Sequence, residues 1–120
     1  MKYRMEQGIR AAVLDACEKL NTVNDVLDCM VTATYEDCFG LIVPKECLPG
    51  DFFRLGTGLA GEILQKFSNY KMKIAVTGDF SGYTSKSLRD FIYECNQGRQ
   101  VFFKATVEEG MSALIQASAR

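Results

Sequence analysis

Histidine and tryptophan are absent from the 120 residues, and proline occurs only twice. Without histidine, the chain has no Ser-His or Cys-His nucleophile pair and lacks the commonest general base near neutral pH. The five cysteines include no C-x-x-C pair and have no histidine to complete a mixed metal site. We therefore expect no structural zinc, no other metal, no cofactor and no disulfide framework.

The sequence also has no excess of charge of one sign and no long apolar run. Fourteen Lys and Arg residues against fifteen Asp and Glu residues give a net charge of −1, so no global field gathers nucleic acid. The segment MKYRMEQGIR at 1–10 interrupts its apolar positions with charges, unlike a signal peptide. No run approaches the roughly 20 apolar residues that cross a bilayer. We expect a cytoplasmic protein whose partners are neither nucleic acid nor membrane.

The spacing of apolar residues predicts strands alternating with helices. Gln7-Gly8 is typical of a tight hairpin turn, Thr22 with Asp25 is typical of a helix start, and the apolar run 39–43 is typical of a strand buried on both faces. Gly98 is expected to end the third helix in the left-handed conformation. The predicted order β-β-α-β-α-β-α-β-α covers residues 2–6, 9–14, 22–35, 39–43, 59–70, 71–77, 85–96, 101–103 and 106–115.

This order predicts a single α/β domain over residues 1–120. An N-terminal hairpin followed by alternating strands and helices implies a mostly parallel sheet of about five strands, with right-handed crossovers and four helices. In the long loop 46–56, Leu48, Phe52 and Phe53 either join the core, which we favour, or form an exposed patch for a partner or a second copy of the chain.

The element order, with the small-residue turn T-G-L-A-G at 57–61 before a helix, resembles the STAS domain of anti-sigma-factor antagonists and sulfate transporters. The run TGLAGEILQKFSNYKMKIAVTGDFSGYTSKSLRDFIYECNQGRQVFF at 57–103 looks like a bacterial family, domain of unknown function 4180. The first resemblance implies a STAS-like fold, and the second implies no established activity.

The STAS resemblance also implies a modification site. Its antagonists carry a phosphorylatable serine at the start of the helix that follows a central strand, and Thr57 occupies the analogous place. The residues before it, Leu55-Gly56, include no acid of the kind that precedes the STAS serine. The favoured interpretation is that Thr57 caps the helix, and phosphorylation of Thr57 is the alternative.

The densest polar cluster is the segment G-D-F-S-G-Y-T-S-K-S at 78–87. This segment and 56–61 both precede helices and should open on the carboxyl edge of the sheet, where open α/β sheets bind ligands. Helix N-termini, hydroxyls and Lys86 suit a small anionic ligand, although serines and threonines also cap helices routinely. The candidate ligand-binding residues are Thr57, Gly58, Asp79, Ser81, Tyr83, Thr84, Ser85, Lys86, Ser87 and Arg89.

Glycines and cysteines give weaker signals. G-T-G-L-A-G at 56–61 fits the letters of a dinucleotide fingerprint but follows a long loop, so Gly58 and Gly61 are expected to let the helix approach a neighbour. Cys29 and Cys95 lie at apolar helix positions and are expected in the core. For the cysteines near predicted loops, Cys17, Cys38 and Cys47, exposure is left open, and no neighbouring residue is expected to activate their thiols.

Three functions remain open at this point. The favoured one is a non-catalytic regulatory module that binds a protein partner through the 59–70 helix, with a phosphate switch on Thr57 as an optional addition. The second is a sensor or carrier of an anionic or acyl ligand held between 56–61 and 78–87. The third is an enzyme of unknown class, whose acid–base groups would be Asp79, Tyr83 and Lys86. A homodimer is compatible with each.

The shape of the surface separates the first two functions. A deep pocket lined by Phe80 and Tyr83 would favour a ligand, whereas a flat surface with exposed Leu59 and Phe53 would favour a protein partner.

Overall fold

A computed structural model of the chain describes residues 1–118. The elements are β1 Lys2–Glu6, β2 Ile9–Val13, α1 Val23–Tyr35, β3 Gly40–Pro44, α2 Leu59–Asn69, β4 Lys73–Thr77, α3 Lys86–Gln97, β5 Val101–Lys104 and α4 Val107–Ser118. The α/β class and the element order predicted from the sequence are confirmed. Short 3-10 turns occupy the predicted loop between β3 and α2. No helix within residues 1–118 is long and apolar enough to span a bilayer.

The strands form one sheet in the sequential order β1-β2-β3-β4-β5. β1 is antiparallel to β2, and every later pair is parallel. The hairpin turn has positive φ at both central residues, 51° at Gln7 and 79° at Gly8, as a type I′ turn requires. The predicted hairpin and its antiparallel edge strand are therefore confirmed.

Helices cover both faces of the sheet. Because side chains alternate along a strand, Leu41 and Val43 of β3 face a core with α1, α2 and α3, whereas Ile42 faces a second core with α4. Right-handed crossovers that always step in the same direction place successive helices on the same face, which accounts for the grouping of the first three. The continuous apolar run of β3 thus reflects burial on both faces.

α4 alone covers the second face. Gly110 lies against the middle of the sheet, where an added Cβ would be 3.2 Å from the Ala75 Cβ. Met111 and Leu114 fill the core on either side of this contact and are fully buried. Small residues at the crossing allow one helix to pack closely on the sheet.

The ends of the helices agree with the sequence in one case and differ in another. The Thr22 Oγ1 accepts a hydrogen bond from the Asp25 N–H at 3.1 Å, and the Asp25 carboxylate accepts one from the Thr22 N–H at 3.1 Å, so the predicted capping box is formed. The prediction of a left-handed Gly98 is wrong. Its φ is −91° with extended ψ, because the chain leaves α3 directly towards β5.

The apolar residues of the loop before α2 belong to the core. Leu48, Phe52 and Phe53 are buried and pack with α2 and the carboxyl ends of the strands. The favoured expectation for these residues is confirmed, and they do not form an exposed patch.

Substitution of Gly40 tests how tightly the second core is closed. We expect Gly40→Ala to lower the free energy of unfolding by about 1–3 kcal/mol, since its Cβ would lie 2.8 Å from the Lys73 carbonyl oxygen and 3.2 Å from Leu114 Cδ2. The matched control is Gly61→Ala in α2, where nothing lies within 4 Å of an added Cβ. That change should leave stability equal or raise it by up to ~1 kcal/mol. Urea unfolding measures both, and equal losses would contradict the packing described.

Candidate functional site

An aromatic cluster of Phe53, Phe80 and Tyr83 covers the carboxyl ends of the central strands. The Phe53 and Tyr83 rings stack with centroids 5.1 Å apart and planes at 17°. The Phe80 ring lies 6.2 Å from Tyr83 and meets Phe103 of β5 edge-on at 5.5 Å. Phe53 precedes α2, and the other two precede α3. The cluster therefore joins the loop before α2 to the 78–87 segment before α3 through apolar contacts, and none of its three rings belongs to the 56–61 segment.

Lys45 binds this cluster from the end of β3. Its Nζ donates a hydrogen bond to the main-chain oxygen of Asp79 and lies 5.2 Å from the Tyr83 ring centroid and 5.8 Å from that of Phe80. A cation over aromatic faces is electrostatically favourable. The lysine stem also covers Gly78, where an added Cβ would come within 2.9 Å of it. Sequence reasoning missed Lys45, because no local motif marks it.

Asp79 and Ser81 form a closed turn. The Asp79 Oδ1 accepts from the Ser81 N–H at 2.9 Å and from the Ser81 hydroxyl at 2.6 Å. These two bonds, with the charge of Lys45, lower the pKa of the Asp79 carboxyl. An ionised carboxylate here repels an anion. Asp79 and Ser81, both predicted to bind a ligand, are thus hydrogen-bonded to each other.

The start of α3 uses its polar residues locally. The Ser85 Oγ accepts from the Leu88 N–H at 3.2 Å, which is a helix cap. The Lys86 Nζ lies 2.7 Å from the Asp90 carboxylate, one turn further along α3. Thr84, Ser87 and Arg89 are exposed. A ligand-binding role for these five residues stays a prediction.

Thr57 and Gly58 lie immediately before α2. Gly58 has a φ of 79° and is itself the N-terminal cap position, so the expectation that Thr57 occupies it is wrong. The Thr57 hydroxyl is within 2.9 Å of the Asp51 and Arg54 carbonyl oxygens and accepts weakly from the Leu59 N–H at 3.3 Å. Thr57 is exposed, and its phosphorylation stays a prediction.

Neither glycine of this segment makes the close approach expected from the sequence. Nothing lies within 4 Å of a Cβ built on Gly58 or Gly61. That expectation is wrong, because the first is required for its positive φ and the second faces solvent.

The five cysteines differ in how far they are buried. Cys29 is buried, and desolvation raises the pKa of its thiol to about 11. Cys47, whose exposure the sequence left open, is buried, with its Sγ donating to the Asp15 carbonyl oxygen at 3.1 Å. Cys17 is exposed, whereas Cys38 and Cys95 are half-buried. Burial also raises the pKa of the Cys38, Cys47 and Cys95 thiols, which is the opposite of what activates a cysteine.

Thiol alkylation of the folded protein tests this division. We expect iodoacetamide to modify Cys17 first and to leave Cys29 and Cys47 unmodified until the protein unfolds, because alkylation needs an accessible thiolate. Peptide mass spectrometry at increasing times measures the order, with urea-unfolded protein as the control. Early modification of Cys47 would contradict its burial under the loop.

Two substitutions at α3 separate a cap from an anion site. We expect Ser85→Ala to lower the free energy of unfolding by about 1 kcal/mol, through loss of the Leu88 N–H bond. Lys86→Ala should cost less than ~0.5 kcal/mol, because it removes only an exposed ion pair. Thermal unfolding measures both, with Ser87→Ala as the control. If Ser85→Ala left stability unchanged but abolished binding of inorganic phosphate, the anion site would be supported instead of the cap.

A second feature lies at the amino ends of β3 and β4, opposite the carboxyl ends that carry the aromatic cluster. Val31, Thr34 and Tyr35 at the end of α1 and Tyr70 after α2 line an apolar groove of about 160 Å³, which we call the tyrosine groove. Tyr35 is 86% exposed, Tyr70 52% and Val31 51%. The sequence carries one signal for this groove, the i, i+4 spacing of Val31 and Tyr35, but the spacing alone does not show that both side chains face solvent.

Two larger grooves lie beside α4, with volumes of about 320 and 390 Å³. Both include Lys104, and the first also contains Glu108 and Glu109, so charges of both signs share the lining. They are open troughs between surface side chains and combine no set of groups that points to a reaction.

Comparison with known protein families gives a match over most of the chain. The model of a protein family described as Domain of unknown function (DUF4180) matches residues 6–114. No curated protein and no solved structure matches the chain. The matched residues include the hairpin turn, β2 to β5, α1 to α3 and α4 up to Leu114, and they begin at the last residue of β1.

Proposed function

Since the chain belongs to the DUF4180 family, whose description assigns no activity, we propose a function from its own surface: a non-catalytic module that binds a protein partner at the tyrosine groove. The observation that carries the proposal is the exposure of Tyr35, Tyr70 and Val31 around one apolar depression. Exposed aromatic side chains that share an apolar depression are typical of protein interfaces, since tyrosine provides a large contact area with a polar end.

The spacing along α1 indicates what the partner presents. Val31, Thr34 and Tyr35 follow the i, i+3, i+4 stripe by which one helix packs against another. Tyr70 closes the other side of the groove, so the partner inserts apolar residues between the two tyrosines. We infer an amphipathic helix of another protein as the occupant.

The groove replaces the α2 surface as the proposed docking site. The outward positions of α2, which include Gly61, Glu62, Gln65 and Ser68, are exposed and polar or small. Leu59 is half-buried and Phe53 is buried, so the flat apolar surface considered for these two residues is not formed. Exposed apolar side chains lie instead on α1 and at Tyr70, apart from Tyr3, Met5 and Tyr93 elsewhere.

The ligand alternative has less support at the carboxyl edge. Asp79 and Ser81 bond each other, Ser85 caps α3, and Lys45 bonds the Asp79 carbonyl oxygen. A ligand entering between the loop before α2 and the 78–87 segment would displace the stacked Phe53 and Tyr83 rings. A regulatory switch at Thr57 is a separate proposal, in which a phosphate would remove the hydroxyl donor that faces the Asp51 and Arg54 carbonyl oxygens.

The docking proposal is tested with a double variant, Tyr35→Ser with Tyr70→Ser. The protein and the variant are used to recover partners from an extract of the native host, and the affinity of the recovered protein is then measured with purified components. We expect the double variant to bind at least about tenfold more weakly, because interface tyrosines commonly contribute 1–2 kcal/mol or more. Melting should change little, since both side chains are exposed.

Tyr93→Ser is the matched control, because Tyr93 is also an exposed tyrosine but lies on α3. It should bind like the unmodified protein. Equal recovery and equal affinity for all three proteins would refute the tyrosine groove as the docking site. A small anion that copurifies with the protein and survives the double substitution would support the ligand alternative.

A further inference from the structure

β5 and β1 are the two outer strands of the sheet, and they differ in the hydrogen bonding of their outward-facing main-chain groups. At the β5 edge, the Asn96 side chain lies alongside Phe103. Its Nδ2 donates to the Phe103 carbonyl oxygen at 3.2 Å, and its Oδ1 accepts from the Phe103 N–H at 2.8 Å. One amide thus occupies both outward groups at the centre of this strand. A sheet edge blocked in this way cannot pair there with another strand.

The β1 edge has its outward groups at Tyr3 and Met5. The Arg10 carbonyl oxygen accepts from the N–H of Phe39, just before β3, and the N–H of Leu14, just after β2, donates to the Ile42 carbonyl oxygen. Because main-chain groups alternate in direction, the odd-numbered residues of β2 face β1. Those residues pair with Lys2, Arg4 and Glu6. By alternation, the N–H and C=O groups of Tyr3 and Met5 point away from the sheet.

We propose that β1 pairs antiparallel with β1 of a second copy of this chain, which joins the two sheets across a twofold axis at Arg4. The residues with outward groups must then lie opposite each other. In this register, Tyr3 of one copy faces Met5 of the other and exchanges both N–H···O=C bonds with it. The contact is isologous, because the same strand is used by both copies.

The side chains of β1 are complementary in this register. Lys2 of one copy lies opposite Glu6 of the other, and the same pair recurs across the axis. On the other face, Tyr3, 38% exposed, meets Met5, 58% exposed, in a sulfur–aromatic contact. Both kinds of cross-strand pair are favourable.

Arg4 meets its own counterpart at the axis, and its charge is already compensated. The Arg4 guanidinium lies 2.6 Å from the Glu6 carboxylate and 3.3 Å from that of Glu108 on α4. Each copy therefore brings a neutralised arginine to the axis, and the like charges do not oppose the pairing.

The first measurement is sedimentation velocity of the unmodified protein from about 1 μM to about 1 mM, since an interface of one strand pair is of the small, weakly bound class. We expect a monomer–dimer equilibrium whose dimer fraction rises with concentration. A monomer throughout this range would overturn the proposal.

Two variants then locate the interface. Met5→Pro removes an outward N–H while leaving the bonds to β2, as edge strands tolerate, and should weaken the dimer at least about tenfold. Lys2→Glu places like charges opposite each other and should weaken it about tenfold. A dimer unaffected by both changes would overturn the β1 interface. Melting curves establish that each variant is folded, and if Met5→Pro is not, Lys2→Glu decides.

Mixing tests the register itself. Lys2→Glu and Glu6→Lys each oppose self-pairing, but in a mixed dimer every position 2 again faces an opposite charge at position 6. We expect the mixture to dimerise at least about tenfold more tightly than either variant alone. No gain on mixing would overturn the register. The double variant Tyr35→Ser with Tyr70→Ser should dimerise like the unmodified protein, which separates this interface from the tyrosine groove.

Discussion

The close packing of α4 on the sheet is the constraint on which the rest of the structure depends. Three helices cover one face, but only α4 covers the other, so this helix must lie near enough to bury the middle strands by itself. Gly110 against Ala75 permits that approach, and Met111 and Leu114 fill the space on either side. On β1, α4 meets the face of Arg4, whose guanidinium lies 3.3 Å from the Glu108 carboxylate, whereas Tyr3 and Met5 lie on the opposite face and stay partly exposed at the margin of the sheet.

Features set by neighbouring residues could be predicted from the sequence, and features set by distant residues could not. The capping box at Thr22 and the buried strand after Phe39 follow from patterns within one turn or one strand, so the elements and their order were predicted. The stacking of Phe53 on Tyr83 and the bond from Lys45 to Asp79 join segments that only the folded sheet brings together. At the candidate site, the sequence therefore predicted the edge and the polar residues, but neither the lysine nor the aromatic contacts. The tyrosine groove was missed for the same reason, because Tyr70 is distant from α1 in sequence and lies beside it only in the folded chain.

The sequential strand order explains why the polar segment at 78–87 does not line a crevice. In open α/β sheets, the ligand crevice forms where the strand order reverses and adjacent connections leave towards opposite faces. The sheet within residues 1–118 keeps one direction from β2 to β5, and its connecting helices lie together. The loops at the carboxyl edge consequently pack against one another through Phe53, Phe80 and Tyr83. The polar groups of these loops cap α3 and close turns. Exposed apolar side chains elsewhere are therefore better placed to contact other molecules.

The two outer strands, β5 and β1, differ in how they are protected from pairing with another strand. An asparagine that bonds both main-chain groups of Phe103 ends the sheet at β5. At β1, protection rests on side-chain charge alone, and charge protects an edge only against strands that do not complement it. The sequence K-Y-R-M-E complements itself when reversed, because the terminal residues are opposite in charge and the second and fourth are apolar. The same lysine and glutamate that discourage pairing with an arbitrary strand therefore favour pairing with an identical one.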